Sequence, residues 1–140
     1  MTWVFWALLS ALFAAATAIF AKLGVAGVDS NFATAVRTTV VVLLAWAIAL
    51  ATRSEGSFHV PSQRTWLFLT LSGLATGLSW LCYFKALQLG PASRVAPIDK
   101  LSVALVIGFA ALFLGERLTT GKLIGGLLIV AGAIVVALDA

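Results

Sequence analysis

Four charged side chains stand where an apolar sequence should have none. Arg37, Lys85, Asp99 and Lys100 each fall about one to two helical turns inside a long hydrophobic run, and Trp80 and Tyr83 lie near Lys85 on the same run. A charge at the centre of an apolar helix costs about 2.5–3.5 kcal/mol on insertion scales, and less near the ends. Two readings are open. The side chains snorkel out to polar surroundings, or they line a polar vestibule facing the interior of a helix bundle. In the second reading Asp99 pairs with Lys85 or Arg37, or carries a proton. Other chemistry has little material. The sole histidine, His59, lies in a loop beside Pro61, and no His-Glu-x-x-His or Gly-x-x-x-x-Gly-Lys-Ser/Thr sequence is present. No nucleophile–base pair of the usual kind is evident. The lone cysteine, Cys82, sits in an apolar run and reads as a packing residue. An enzyme, a bound cofactor, a metal and ATP-driven chemistry are therefore not expected.

The elements that hold these residues are set by composition. Of 140 residues, 62% are hydrophobic and 10% charged, against about 25% charged in a soluble domain. A chain this short leaves much of its surface wet, so lipid is the better solvent. Five apolar runs approach the roughly 20 residues that a spanning helix needs. They cover about 3–21, 32–51, 66–87, 95–114 and 122–138. The expected fold is all-α: an integral membrane bundle of five transmembrane helices forming a single domain over 1–140. A membrane β-barrel needs strands of about ten residues with alternating polarity, and these runs are longer and do not alternate. Gly24, Gly27, Asp29 and Ser30 break the first run from the second. Arg53-Ser-Glu-Gly56 and Pro61-Ser-Gln-Arg64 bracket the longest loop, and Gly90-Pro91 ends the third run. Gly115-Glu-Arg-Leu-Thr-Thr120 turns the fourth run into the fifth, with Thr119 or Thr120 as cap. Pro97, one turn into the fourth run, should bend it and free a backbone carbonyl. Met1-Thr-Trp-Val-Phe-Trp6 lacks the basic start of a signal peptide, so the first run reads as a retained helix.

Five spans place the termini on opposite sides. Trp3, Trp6, Trp46 and Trp66 all fall near the N-terminal side, as an interfacial aromatic belt does. Arg53, Arg64, Arg117 and Lys122 belong to that side; Lys22, Arg37, Lys85, Arg94 and Lys100 belong to the other. This near balance leaves orientation open and is what a chain inserted both ways would show. Setting aside Arg37, Lys85 and Lys100 as partly buried would favour a cytoplasmic N-terminus. The net charge of +4 comes from basic residues scattered singly at helix ends, so they read as interfacial anchors and not as a nucleic-acid surface. Gly73-x-x-x-Gly77 and Gly121-x-x-x-Gly125 permit close approach of helix backbones, either within the bundle or at a dimer seam.

Three stretches carry a family likeness: Ala86-Leu-Gln-Leu-Gly-Pro-Ala-Ser-Arg-Val-Ala-Pro-Ile98, then Asp99-Lys-Leu-Ser-Val103, then Leu114-Gly-Glu-Arg-Leu-Thr119 before a glycine-studded last helix. With the five-span layout, the chain resembles the EamA-like family of the drug/metabolite transporter superfamily. The best-known members carry two such five-helix units in inverted orientation, and this chain resembles one unit standing alone. The resemblance implies a secondary transporter of a small molecule in the inner membrane of the cell. It also implies a partner chain, since alternating access generally rocks one bundle against an inverted repeat, and no internal repeat is found. An antiparallel homodimer is the direct inference. The substrate or coupling candidates are Arg37, Trp80, Tyr83, Lys85, Asp99 and Lys100, whose basic excess suits an anionic cargo. The alternative is a non-transporting membrane subunit that scaffolds or regulates a larger complex. If lipid solvates these helices, alkaline carbonate washing of membranes leaves the protein in the pellet; recovery in the soluble extract would refute the reading.

Overall fold

The structure, a computed structural model, describes residues 2–52 and 62–139. His59, Pro61 and Arg53-Ser-Glu-Gly56 lie outside the described residues. Among the described residues six helices follow one another: α1 (Trp3–Gly24), α2 (Ser30–Ala51), α3 (Gln63–Leu89), α4 (Ala92–Asp99), α5 (Leu101–Phe113) and α6 (Thr120–Leu138). Together α4 and α5 make one candidate span, so five helical stretches are long and apolar enough to cross a bilayer.

The ends of these helices follow from local chemistry. The Asp29 carboxylate accepts from Asn31 N at 3.0 Å and Phe32 N at 2.9 Å, which starts α2 two residues before the apolar run. Ser62 Oγ accepts from Thr65 N at 3.2 Å and starts α3 at Gln63. Thr119 accepts from Lys122 N at 3.3 Å, making it the cap of α6. Each cap satisfies N–H groups that have no partner inside the helix. Gly115 takes a φ of +67°, and the turn it makes lets Glu116 N reach the Ala110 carbonyl at 3.1 Å. Gly27, at φ +74°, turns the chain between α1 and α2. Lys122 Nζ meets Glu116 Oε2 at 2.8 Å, a pair joining the two ends of the α5–α6 turn.

The fourth span is interrupted three residues after its proline. Pro97 has no N–H, so it withholds the bond that would serve the Ser93 carbonyl. The strict α-helix stops at Asp99 and resumes at Leu101. At the junction Lys100 N is shared between the Ala96 carbonyl at 3.3 Å and the Pro97 carbonyl at 3.1 Å, a tightening of the turn and not a gap.

By packing, the chain resolves into two units: Met1–Lys22 with Leu89–Ala140, and Leu23–Gln88. In the first, α6 packs on α4 and α5. Its buried residues are small: Ala18, Ala21, Ala110, Ala133 and Gly126. A methyl group on Gly126 would come within 3.3 Å of Ile107 Cδ1, so α6 approaches α5 closely at this glycine. Lys22 Nζ donates to the Gly90 carbonyl at 2.8 Å. In the second unit, Val25, Ser30, Thr34, Phe84 and Leu87 are buried, and Gln88 Nε2 donates to the Val28 carbonyl at 2.5 Å.

This core is far too small for a water-soluble protein. Only 6–11% of the most apolar stretch of each span is buried inside the chain. Leu8, Leu12, Leu43, Leu74, Leu105 and Leu127 all face outward. Soluble monomers rarely expose contiguous apolar patches beyond a few hundred Å²; hydrocarbon tolerates them at no cost. The protein is a multi-span membrane protein. Replacing Gly126 with Leu should overpack the α5–α6 contact and cost about 1–3 kcal/mol. A fall in apparent Tm in detergent, partly restored by adding Ile107→Ala, checks this; an unchanged Tm would refute the packing assignment.

Candidate functional site

In the Leu23–Gln88 unit the side chains on facing helices meet around one cation. Arg37 lies seven residues into α2, about 10 Å along its axis. Its guanidinium carbon stands 4.2 Å from the centre of the Trp80 ring and 5.5 Å from that of Phe84, both on α3. Tyr83, half-buried, interacts with Arg37 electrostatically. Arg37, Trp80 and Tyr83, three of the residues singled out from sequence, therefore form one cluster. Phe84, buried at 3% exposure, belongs with them. Sequence alone did not single it out, although its position one turn after Trp80 puts both rings on the same face of α3.

The cluster is ordered by depth. Trp80 is nine residues from the end of α3 and Phe84 is five, so Trp80 sits about 6 Å deeper along the helix. The guanidinium lies nearer the deeper ring. A cation over a tryptophan face gains about 0.5–2 kcal/mol, more as water is excluded.

The other candidates have different surroundings. Lys85, on the same helix, points outward and is exposed. Asp99 and Lys100 belong to the other unit, where Lys100 Nζ lies 3.4 Å from Asp99 Oδ2, with both side chains more than a third exposed. An exposed pair of this length contributes at most about 1 kcal/mol. Of the glycines, Gly73, Gly77 and Gly125 would meet nothing within 4 Å if each carried a methyl group, and Gly121 would meet only its own cap, Thr119 Oγ1, at 3.9 Å. Close packing within the chain uses Gly126 instead. Among the described residues, no group of three or more His, Cys, Asp or Glu side chains is placed to hold a metal.

Another feature was not singled out from sequence. A groove of about 500 Å³ runs between α2 and α3, lined by Asn31, Thr34, Thr38 and Thr39 on one wall and by Gly77 and Leu81 on the other. The threonines four and five residues after Thr34 were its only sequence signal. The hydroxyls of Thr34, Thr38 and Thr39 donate to the carbonyls of Ser30, Thr34 and Ala35 at 2.8–3.0 Å. Their donors are therefore satisfied inside the helix, and with Ala35, Val42, Leu43 and Leu81 the groove presents an almost wholly apolar lining.

Comparison with known proteins agrees with this architecture. The chain matches the EamA-like transporter family over residues 1–138, and it belongs to that family. It is 56% identical over 139 residues to a Sinorhizobium sp. protein described as an uncharacterized transporter in the cobO 3′ region, covering 97% of this chain and 96% of that one. It is also 29% identical over 80 residues to an uncharacterized protein of Methanocaldococcus jannaschii, covering 57% of this chain and 58% of that one. No solved structure matches it. The family points to transport across a membrane and not to catalysis. A double-mutant cycle over Arg37→Gln and Trp80→Leu, read as apparent stability in detergent, should give a coupling of about 0.5–2 kcal/mol. Additive effects would mean that the two side chains do not interact.

Proposed function

We propose that the protein is a secondary transporter of a small metabolite or drug-like molecule, resident in the inner membrane and working by alternating access. The observation that carries this reading is a charged, aromatic-braced cluster inside the spans of a chain from a transporter family. A cation in a membrane span is costly, and such residues generally mark pathways for substrates or ions. A lipid-facing scaffold has no need of one.

A single five-span unit needs a partner to rock against. We assign that role to a second copy in antiparallel orientation. The glycine faces at Gly73, Gly77, Gly121 and Gly125 that stay open in the single chain support this arrangement. In lipid, such faces let two backbones approach closely enough for dispersion contacts to hold them. The near balance of basic residues between the two sides suits copies inserted both ways. Arg37, Trp80 and Tyr83 then form the substrate cluster, with Lys85, Asp99 and Lys100 as further binding or proton-coupling groups.

The test begins with a thermal-shift screen of purified protein against a metabolite library, since a ligand of the folded form raises its apparent stability. The stabilising compound is then followed into proteoliposomes. Uptake should occur with the native protein and be abolished by Lys85→Ala or Asp99→Asn, with the helical content of both variants intact. Full uptake in both variants would return these residues to interfacial anchors. Binding without any flux by the native protein would favour the non-transporting subunit.

A further inference from the structure

The Arg37 cluster has a chemical gap. A guanidinium carries five N–H donors and no acceptor. The ring face of Trp80 at 4.2 Å and that of Phe84 at 5.5 Å stabilise its charge but offer no oxygen to those donors. Of the side chains placed against Arg37, Tyr83 carries an oxygen, and a single phenol cannot serve five donors. The hydroxyls of Thr34 and Thr38 donate to the Ser30 and Thr34 carbonyls within α2. Hydrocarbon supplies no acceptor either. The side chain is half-buried, and the nearer of its two rings is the deeper one. Aromatic packing thus holds the charge inside the span while its donors remain to be satisfied.

We infer that Arg37 is an oxyanion-binding residue, and that the group it takes is a carboxylate or phosphate. A planar fork matches either group with two parallel charge-assisted hydrogen bonds, which are stronger and more directional than neutral ones. Trp80 and Phe84 act as positioning residues that fix the plane in which the fork is offered. The inference rests on the reading of this cluster as a substrate site and narrows the cargo to a molecule bearing such a group. The same chemistry is found in a soluble anionic metabolite and in the headgroup of an anionic lipid, and the two sources separate experimentally.

The test measures binding and not flux, so its failure is distinct from failure of the transport reading. Full-length protein and its Arg37→Gln and Arg37→Lys variants are purified in neutral detergent and matched for helical content and oligomeric size. Inorganic phosphate and acetate are titrated at constant ionic strength while apparent Tm and tryptophan fluorescence are recorded. In parallel, the proteins are placed in phosphatidylcholine nanodiscs with and without phosphatidylglycerol. The native protein should show a saturable rise in Tm. The rise should disappear in Arg37→Gln and need about tenfold more ligand in Arg37→Lys, because an ammonium group lacks the fork. Stabilisation by the soluble anions identifies a metabolite group, and stabilisation by phosphatidylglycerol alone identifies a headgroup; either upholds the inference. No stabilisation from either source, or stabilisation undiminished in both variants, overturns it. Should Arg37→Gln fail to fold, the Arg37→Lys affinity decides, and an unchanged value overturns it.

Discussion

Hydrocarbon offers no hydrogen bonds, so a chain dissolved in it must satisfy its own backbone. Here that constraint selects helices and shapes everything attached to them. It makes the outward-facing leucines neutral and removes the usual reward for burying large side chains against one another. What remains to hold helices together is close approach, and the buried residues of the Met1–Lys22 and Leu89–Ala140 unit are accordingly alanines and a glycine. Gly126 against Ile107 does for this chain what a large apolar core does in water.

The same constraint disciplines the polar groups. Threonines inside α2 and α3 return their hydroxyl protons to carbonyls four residues back. Asp29, Ser62 and Thr119 work at helix starts, where N–H groups need an acceptor. Glu116 and Lys122 pair at a turn. Arg37 departs from this economy. It sits well inside α2, and aromatic rings hold it there. In the function proposed above, this exception belongs to the cargo path.

Much of the fold was legible from residue types alone. Hydropathy and length give all five spans, and the run-up to the last one offers Thr119 or Thr120 as its cap, of which Thr119 is used. The helix starts were placed two or three residues late at α2, α3 and α4. Ser30, Gln63 and Ala92 are poor signals by hydropathy, and helix there depends on caps or on the fixed backbone of Pro91. Pro97 announced an irregularity in the fourth span, but the sharing of Lys100 N between two carbonyls is a geometric outcome that residue type does not specify. The site was legible only in part. Arg37, Trp80 and Tyr83 each stood out as unusual within an apolar run. Their meeting depends on how α2 and α3 are rotated about their axes, which a period of 3.6 within one helix cannot encode. Phe84 and the threonine-lined groove passed unnoticed for the same reason: phenylalanine and threonine are ordinary in a span until a neighbour gives them a role.

The claim beneath the whole account is that lipid tails, not water, solvate the outer faces of these helices. Spin labels placed singly along α2 in reconstituted bilayers test it most directly, by their collision rates with oxygen and with a water-soluble nickel chelate. Val40 and Leu43 face outward, whereas Thr34 is buried. The account predicts high oxygen and low nickel accessibility at Val40 and Leu43, and low accessibility to both at Thr34. Nickel reaching Val40 and Leu43 as freely as it reaches a surface loop would contradict it.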